Sequence, residues 1–293
     1  MKPRLLAALG VALLIGHIAG LAAQRSTSSA VPRRIVSLVP ATTEMLFAMG
    51  AGNRVIGVGT YDRFPPEVDR LPRLGGLLDP NIEQLIALRP ELVIVYDTQA
   101  DLRRQLERAG IPMWPYSTRD LADVTSTVRA LGTRIGLSAE ANATADGIEA
   151  RLKAVQERVA GQRRPRTLLV FGREPGTLRE INASGGYGFL HDLVEIAGGT
   201  DVLADVKRAS VTMSTEMVLA RAPEVIIELH YGEEWPASRI AEETRVWSQL
   251  SSVPAVRNKR VVLVAGDEFV VPGPRVPMAA ERLAAILHPE GAR

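Results

Sequence analysis

Aromatic side chains follow several of the predicted strands at the points where those strands end. Four of the five tyrosines in the chain occupy such positions, namely Tyr61, Tyr96, Tyr116 and Tyr231. Because ligands bind outside the carboxyl ends of parallel strands, we expect these rings to share one cleft. Aromatic residues make up only 4% of the chain, so their concentration here favours a large, partly planar ligand. Taken singly, each tyrosine could instead be a partly buried residue that covers a sheet edge.

Basic side chains accompany the tyrosines at these strand ends. Arg63 and Arg173 could bind carboxylate or amide oxygens of a ligand, although a lone arginine is more often a solvated surface charge. His230 could coordinate a metal carried by the ligand, and the alternative is a hydrogen-bonded structural histidine. The candidate ligand-binding residues at the strand ends are Tyr61, Arg63, Tyr96, Arg173, His230 and Tyr231.

Residue patterns that would support catalysis are scarce. The chain has no cysteine, and beyond the amino-terminal segment only His191, His230 and His288 remain, too few for a protein-built site of several histidines. There is no phosphate loop of the Gly-Lys-Ser/Thr type. We predict no catalytic site, no metal site and no built-in cofactor. The alternative is an exported α/β hydrolase in which Ser184, His191 and Asp192 form a triad.

Residues 1–23 have the layout of a secretory signal peptide. Lys2 and Arg4 precede an uncharged run that ends in small residues at Ala23. An uncleaved membrane anchor is the alternative, because the run approaches bilayer-spanning length. The end of the run looks like the start of a lipoprotein box, but Gln24 stands where such a box requires cysteine, which excludes lipidation there. We expect the rest of the chain to be exported.

Composition places the chain among globular proteins. It has 293 residues, 46% of them hydrophobic and 23% charged, which is typical of about two domains of ordinary size. The 35 basic and 33 acidic residues leave a net charge of only +2, and the arginines are scattered along the chain. This distribution gives no support to nucleic-acid binding.

One phrase of the sequence occurs twice. The segment from Glu83 to Val95 is echoed 133 positions later by the segment from Glu216 to Glu228. In each copy an acidic residue opens a short apolar helix, a Pro-Glu pair ends it, and an aliphatic run suited to a buried parallel strand follows. Chance is the alternative, since helix-proline-strand junctions are common in α/β proteins. The echo predicts two related lobes.

Strands and helices are predicted to alternate in both halves of the chain. The expected strands lie at 34–39, 55–59, 92–96, 112–116, 167–171, 202–203, 225–229 and 260–264. The expected helices lie at 43–49, 82–88, 102–109, 121–136, 188–197, 215–222 and 278–287. Such alternation predicts parallel sheets with helices on their faces.

A long helix is predicted between the two halves, at residues 138–159. About 22 residues at 1.5 Å each would span roughly 33 Å, enough to join two lobes, although an ordinary surface helix of one lobe is the alternative. We expect an N-terminal α/β lobe at 33–137, an interlobe helix at 138–162 and a C-terminal α/β lobe at 163–293. The predicted fold class is α/β, with two Rossmann-like lobes of mostly parallel sheet bridged by a single long α-helix.

Three segments carry a resemblance to a known family. Residues 34–46, 81–95 and 214–229 are similar to the periplasmic substrate-binding proteins of ABC importers for cobalamin, haem and ferric siderophores. The resemblance runs through nearly all of residues 33–289. It implies two lobes joined by one long helix, a ligand held between them, and delivery to a membrane permease driven by an ATPase. We therefore expect a periplasmic monomer that binds no nucleic acid.

The resemblance also gives the duplicated acids a role. In the family, one surface glutamate on each lobe meets arginines of the two permease subunits, and Glu83 and Glu216 match those positions. An acid in the first turn of a helix is favoured by the helix dipole, and two such acids can orient the protein on a two-fold partner. Simple helix capping after Asn81 and Ser214 is the alternative explanation.

The cargo implied by the resemblance is a metal-containing macrocycle, with cobalamin or another corrinoid favoured. Cobalamin binders carry a tyrosine at the position of Tyr61 and tryptophans at the positions of Leu77 and Ser210. Here the tyrosine matches and both tryptophans are absent. Trp235, shortly after His230, could supply a replacement ring and is therefore added to the candidate site. Haem or a ferric siderophore is the alternative cargo.

Overall fold

The first half of the chain forms a four-stranded parallel sheet. The computed structural model describes residues 31–232 and 235–289. The strands of this sheet are β1 (Ile35–Ser37), β2 (Val55–Val58), β3 (Leu92–Tyr96) and β4 (Met113–Tyr116), in the order β2-β1-β3-β4. The helices between them are α1 (Pro40–Ala48), α2 (Ile82–Ala87) and α3 (Ala100–Arg108). The central strands β1 and β3 are almost wholly buried, as expected for strands covered on both faces.

Two helices, α4 (Ala122–Arg134) and α5 (Ser138–Val159), lead to a six-stranded second sheet. Its strands are β5 (Arg166–Gly172), β6 (Ile181–Ser184), β7 (Thr200–Asp201), β8 (Ser210–Met213), β9 (Val225–His230) and β10 (Val261–Ala265). The helices of this half are α6 (Phe189–Ile196), α7 (Thr215–Arg221), α8 (Ala237–Val246), α9 (Pro254–Arg257) and α10 (Val276–Leu287). The order is β10-β9-β5-β6-β8, with β7 also paired with β5. Strands β5, β9 and β10 run parallel, whereas β6 is antiparallel to both β5 and β8.

The long helix α5 packs against helices from both halves. It contacts α4 from the first half and α6 and α10 from the second. Its buried residues recur every three or four positions, which gives one apolar face: Ala141, Ala145, Ile148, Leu152, Val155 and Val159. The predicted α/β fold class, with mostly parallel sheets bridged by one long helix, is therefore confirmed.

The hydrophobic core is continuous across the two sheets. One cluster of buried residues includes Ile35 and Ile94 of the first sheet, Ile148 of α5, and Leu169 and Ile227 of the second sheet. From Pro32 onward the chain forms one compact unit. The boundaries predicted at residues 137 and 162 stay predictions.

The second half differs from the prediction in three ways. The short strand expected at 202–203 is wrong, because Thr200 and Asp201 pair with β5 and residues 202–205 form a turn. Strands β6 and β8 were not predicted, and neither were helices α8 and α9.

Within the described residues, no helix combines the length and apolar character needed to span a membrane. The predicted signal peptide at 1–23 and Gln24 lie outside those residues.

Candidate functional site

A cavity of about 550 Å³ lies between residues of the two halves of the chain. Residues at the carboxyl ends of β1 to β4 supply much of its lining. Phe189, Tyr231 and residues 270–272 come from the second half. This position agrees with the general rule that open α/β sheets bind ligands outside the carboxyl ends of their strands. Its volume falls within the range usual for small-molecule sites.

Four tyrosines line this cavity, namely Tyr61, Tyr96, Tyr116 and Tyr231. Tyr96 and Tyr116 pack edge to face, with ring centroids 6.0 Å apart. Tyr61 and Tyr231 are 57% and 45% exposed, and the Tyr231 hydroxyl donates to the backbone oxygen of Tyr61 at 3.4 Å. Burial raises the pKa of Tyr96 to about 12 and also raises the pKa of Tyr116. Both phenols are therefore neutral hydrogen-bonding groups at physiological pH.

Asp62 is the acid of the cavity, and the prediction of the site left it out. It follows Tyr61 after β2, lines the cavity and is only 1% exposed. Neither carboxylate oxygen has a hydrogen-bond partner among the residues that the structure describes. Burial raises the pKa of Asp62 to about 7, and the neighbouring Thr43 hydroxyl, Gly59 amide and Arg73 charge offset only part of this shift. Its place after a strand was visible in the sequence, but its burial was not.

Arg63 lies beside the cavity instead of in its lining. Its guanidinium carbon is 5.5 Å from the centroid of the Tyr231 ring, in a cation–π arrangement.

A second depression of about 330 Å³ adjoins the cavity and shares Thr118, Phe189 and Val270 with it. Its further lining includes the aromatic residues Phe171, Tyr187 and Phe269 and the basic residue Arg119. A ligand longer than the main cavity could extend in that direction.

Arg173, a predicted ligand-binding residue, lies in a buried ion cluster and is not part of the cavity lining. Its Nε lies 3.0 Å from Oε1 of Glu228, and one terminal nitrogen lies 2.8 Å from Oε2 of Glu243. The side chains of Arg173 and Glu228 are each only 2% exposed. Burial alone would raise the pKa of Glu228, but hydrogen bonds from His230 and Trp247 and the charge of Arg173 hold it below its ordinary value. The guanidinium therefore neutralises buried acids outside the cavity lining.

His230 and Trp235 belong to the same cluster. The His230 Nε2 lies 3.3 Å from Oε1 of Glu228, and its ring stacks on Trp235 with centroids 3.8 Å apart. Arg239 covers the Trp235 ring at 3.8 Å. Neither His230 nor Trp235 is part of the cavity lining. Of the seven predicted ligand-binding residues, Tyr61, Tyr96 and Tyr231 are thus the ones that line the cavity.

The sequence matches the model of one protein family over most of its length. That family is described as periplasmic binding protein, and the match covers residues 35–267. The chain belongs to this family. The cavity lining falls almost entirely within the matched segment, with residues 270–272 just beyond it.

Relatives of this family member cover most of its length. An uncharacterised ABC transporter substrate-binding lipoprotein, YvrC of Bacillus subtilis, is 27% identical over 264 residues, which are 88% of this chain and 81% of the relative. The vitamin B12-binding protein of Yersinia pestis is 26% identical over 253 residues, 85% of this chain and 84% of that protein. The solved periplasmic heme-binding protein of Pseudomonas aeruginosa matches with a TM-score of 0.76 at 24% identity, covering 88% and 94% of the two chains. At that identity the last match supports the fold alone.

The two acids expected to contact a permease occupy equivalent places in this family member. Glu83 and Glu216 are exposed in the first turns of α2 and α7. Asn81 Oδ1 accepts the Gln84 amide at 3.0 Å, and Ser214 Oγ accepts the Met217 amide at 3.3 Å. A hydrogen bond from the Ser214 side chain lowers the pKa of Glu216. Asn81 and Ser214 thus supply the caps of the two helices, and both glutamate side chains are exposed to solvent.

The residues of the alternative hydrolase triad bond elsewhere. The Ser184 hydroxyl is buried and donates to the Gly185 backbone oxygen at 3.3 Å. His191 Nδ1 pairs with Asp201 at 2.9 Å, and the Asp192 carboxylate accepts the Leu121 amide at 2.9 Å. The described residues contain no group of three or more histidine, aspartate or glutamate side chains that could hold a metal ion.

Proposed function

We propose that this chain is the substrate-binding component of an ABC importer and that it carries a metal-containing macrocycle, with a corrinoid favoured. The observation that carries the proposal is the cavity built by both halves of the chain and lined by four tyrosines. Aromatic rings suit the flat faces of a macrocycle, and neutral phenols suit its polar edges. Similarity to a vitamin B12-binding protein over most of both chains supports the corrinoid.

Haem or a ferric siderophore is the second candidate cargo, and one observation favours it. Tyr61 lines the cavity and is 57% exposed, and a tyrosine phenolate can coordinate a ferric ion carried by a ligand. The same ring could equally pack against a corrin. Spectroscopy distinguishes the two roles, because coordination by a phenolate changes the absorption of the iron centre.

The cargo is tested by titrating the purified chain with cyanocobalamin, with haemin and with a ferric siderophore. Absorption spectra and equilibrium dialysis report binding, and mass spectrometry of protein recovered from its native envelope identifies the natural cargo. We expect saturable binding of cyanocobalamin, without chemical turnover. Exclusive binding of haemin or of the siderophore would replace the corrinoid with that cargo, and turnover of any of them would contradict a binding-protein role.

We also propose that Glu83 and Glu216 hold the chain on its permease. Replacing both by alanine should reduce cargo transport about tenfold or more, since each loses a charge pair at the interface. Cargo affinity should stay unchanged, because neither residue lines the cavity. Glu140 is the matched control, an exposed acid in the first turn of α5, and Glu140→Ala should transport normally. Normal transport by the double variant would contradict the docking role.

A further inference from the structure

Helices α2 and α7 present the same two residue types to solvent. In α2, Glu83 is followed one turn later by Ile86. In α7, Glu216 is followed one turn later by Leu219. The two aliphatic side chains are 41% and 42% exposed. Residues three positions apart in a helix are neighbours on its surface, so each aliphatic side chain lies beside its acid. We call each such set an acid–aliphatic pair.

Packing and capping of the two helices account for other residues of the repeat. The side chains that pack into the fold are Leu85 in α2 and Val218 in α7, and both are wholly buried. The helix caps come from Asn81 and Ser214. Burial and capping therefore explain why these four positions are alike in the two halves. They do not explain the exposed acid–aliphatic pairs.

Other positions of the repeat that lie outside the core differ between the two copies. Gln84 of α2 corresponds to Met217 of α7, and Arg89 corresponds to Ala222. By contrast, the acid is identical in both copies, and the residue one turn later is large and aliphatic in both. The 22-residue helix α5 provides a comparison, because its exposed positions carry polar residues, glycine or alanine and no large apolar residue. The similarity of the two pairs is therefore specific to this surface.

The chemistry of the pairs indicates the kind of partner that they fit. Single exposed apolar residues are ordinary on soluble proteins, whereas two at equivalent positions beside the same acid indicate contact with a partner. An exposed carboxylate beside an aliphatic side chain is complementary to a basic residue beside an apolar depression. Because each half carries one pair, the partner must offer this combination twice. A membrane permease with two equivalent subunits meets that requirement.

We propose that Ile86 and Leu219 are apolar contacts of the permease interface, one on each subunit. The inference rests on the proposed docking role of Glu83 and Glu216, and it extends that contact from charge to apolar burial. Each aliphatic side chain enters an apolar depression beside the basic residue that pairs with the acid. The acids steer and orient the approach, and the aliphatic side chains slow the dissociation of the complex.

The probe for the test is the permease with its ATPase that imports cargo with the wild-type chain, held in lipid nanodiscs. Dissociation constants are measured at about 0.1 M and about 1 M salt, since salt screens charge pairs but not apolar contacts. Ile86→Gln and Leu219→Gln should each weaken docking about three- to fivefold, and the double variant about tenfold or more, at both salt concentrations. Glu83→Ala combined with Glu216→Ala should weaken docking mainly at the lower salt concentration.

Controls separate a lost contact from a damaged fold. Glutamine suits an exposed helical position, so the free energy of unfolding should not change in either variant. Cargo affinity should also stay unchanged, because neither Ile86 nor Leu219 lines the cavity. Ile86→Leu combined with Leu219→Ile keeps the apolar contact and should dock within about twofold of wild type. Met278→Gln is the matched control: Met278 is 42% exposed on α10, and the residue one turn before it is Arg275 instead of an acid.

The outcomes separate this inference from the docking role of the acids. If the glutamine variants dock as wild type while the variant without the two acids docks weakly, the apolar contact is wrong and the docking role of the acids stands. If neither set of variants changes docking, both are wrong. The inference is also overturned if Met278→Gln weakens docking as much, if only one of Ile86→Gln and Leu219→Gln does so, or if their effect disappears at the higher salt concentration.

Discussion

Asp62 is buried, and its burial outweighs the neighbouring groups that favour the charged form, so its ionisation opposes folding. In the unfolded chain this carboxyl group loses its proton near its ordinary pKa of 3.8, whereas in the folded chain it does so only at about 7. Between these values the folded state binds more protons than the unfolded state, and stability therefore falls as the pH rises. At about 1.4 kcal/mol for each pH unit, the loss by about pH 8 is roughly 4 kcal/mol.

Replacing Asp62 by asparagine should remove this loss. We expect Asp62→Asn and wild type to have similar free energies of unfolding at about pH 4, and the variant to be more stable by up to roughly 4 kcal/mol at about pH 8. Urea denaturation at several pH values measures the difference. The exposed Asp97→Asn variant should show no such growth with pH. A difference between Asp62→Asn and wild type that is constant across the range would contradict the burial penalty.

The sequence predicts which residues reach the carboxyl edge of a sheet, but not which neighbours they meet there. Tyr96 and Arg173 both lie at or just past the ends of their strands, yet Tyr96 lines the cavity and Arg173 neutralises Glu228 and Glu243. Glu228 lies inside β9, where an aliphatic residue would be usual, and Glu243 lies on an unpredicted helix. The sequence analysis did not recognise that the acids at these two positions are buried. Their burial explains why Arg173 pairs with them instead of lining the cavity.

At the scale of elements, the repeated phrase of the sequence corresponds to a repeated local structure. A residue of left-handed backbone follows each of the helices α2 and α7, just before a proline: Arg89 with φ 47°, two residues after α2, and Ala222 with φ 44°, directly after α7. In each half an arginine at the start of the central strand donates to the last carbonyls of that helix: Arg34 to Leu88, and Arg166 to Arg221. The echo predicted the helix, the proline stop and the strand of each half, whereas the left-handed residues and the arginine contacts were not part of that prediction.

Strands β6 and β8 were beyond the reach of sequence patterns. Each has only four residues, and they pair antiparallel with one another at the end of the second sheet. Neither contains a long aliphatic run, and polar residues such as Asn182 and Thr212 interrupt them. Their strand conformation depends on pairing with distant segments, which a local pattern does not record. The long aliphatic strands β3, β5 and β9, by contrast, were predicted close to their observed bounds.

Two glycines in the neighbouring helices α4 and α5 should respond oppositely to alanine. At Gly147 of α5 an added Cβ would meet nothing within 4 Å, so Gly147→Ala should stabilise the fold by about 0.5–1 kcal/mol through helix propensity alone. At Gly132 of α4 the added Cβ would lie 2.1 Å from the Ala141 Cβ, so Gly132→Ala should destabilise by about 1–3 kcal/mol. Urea denaturation compares them directly. If both substitutions change the free energy of unfolding by the same amount, the close packing of α4 against α5 at Gly132 is wrong.

At the scale of the whole molecule, one buried ion pair joins residues 231 positions apart in the sequence. The Arg275 Nε donates to Glu44 Oε2 at 2.9 Å, and the side chains are 14% and 4% exposed. Glu44 lies on α1, one turn after Ala41, and Arg275 lies three residues after Pro272, and both of those neighbours line the cavity. Burial raises the pKa of Glu44 even beside this arginine. The pair thus joins a segment near the start of the described chain to a segment near its end, beside the cavity.

Arg275→Met should destabilise the protein by about 3–5 kcal/mol, because it leaves the Glu44 carboxylate buried without its partner. The double variant Glu44→Gln with Arg275→Met should recover at least half of that loss, since the unpaired charge is then gone. Arg151 and Glu281 provide the matched control: they also join distant segments, but their side chains are 49% and 39% exposed. Arg151→Met should therefore cost less than about 1 kcal/mol. If the changes in the free energy of unfolding caused by Glu44→Gln and Arg275→Met are strictly additive, the two side chains are not in direct contact. The ion pair would then not join the two distant segments beside the cavity.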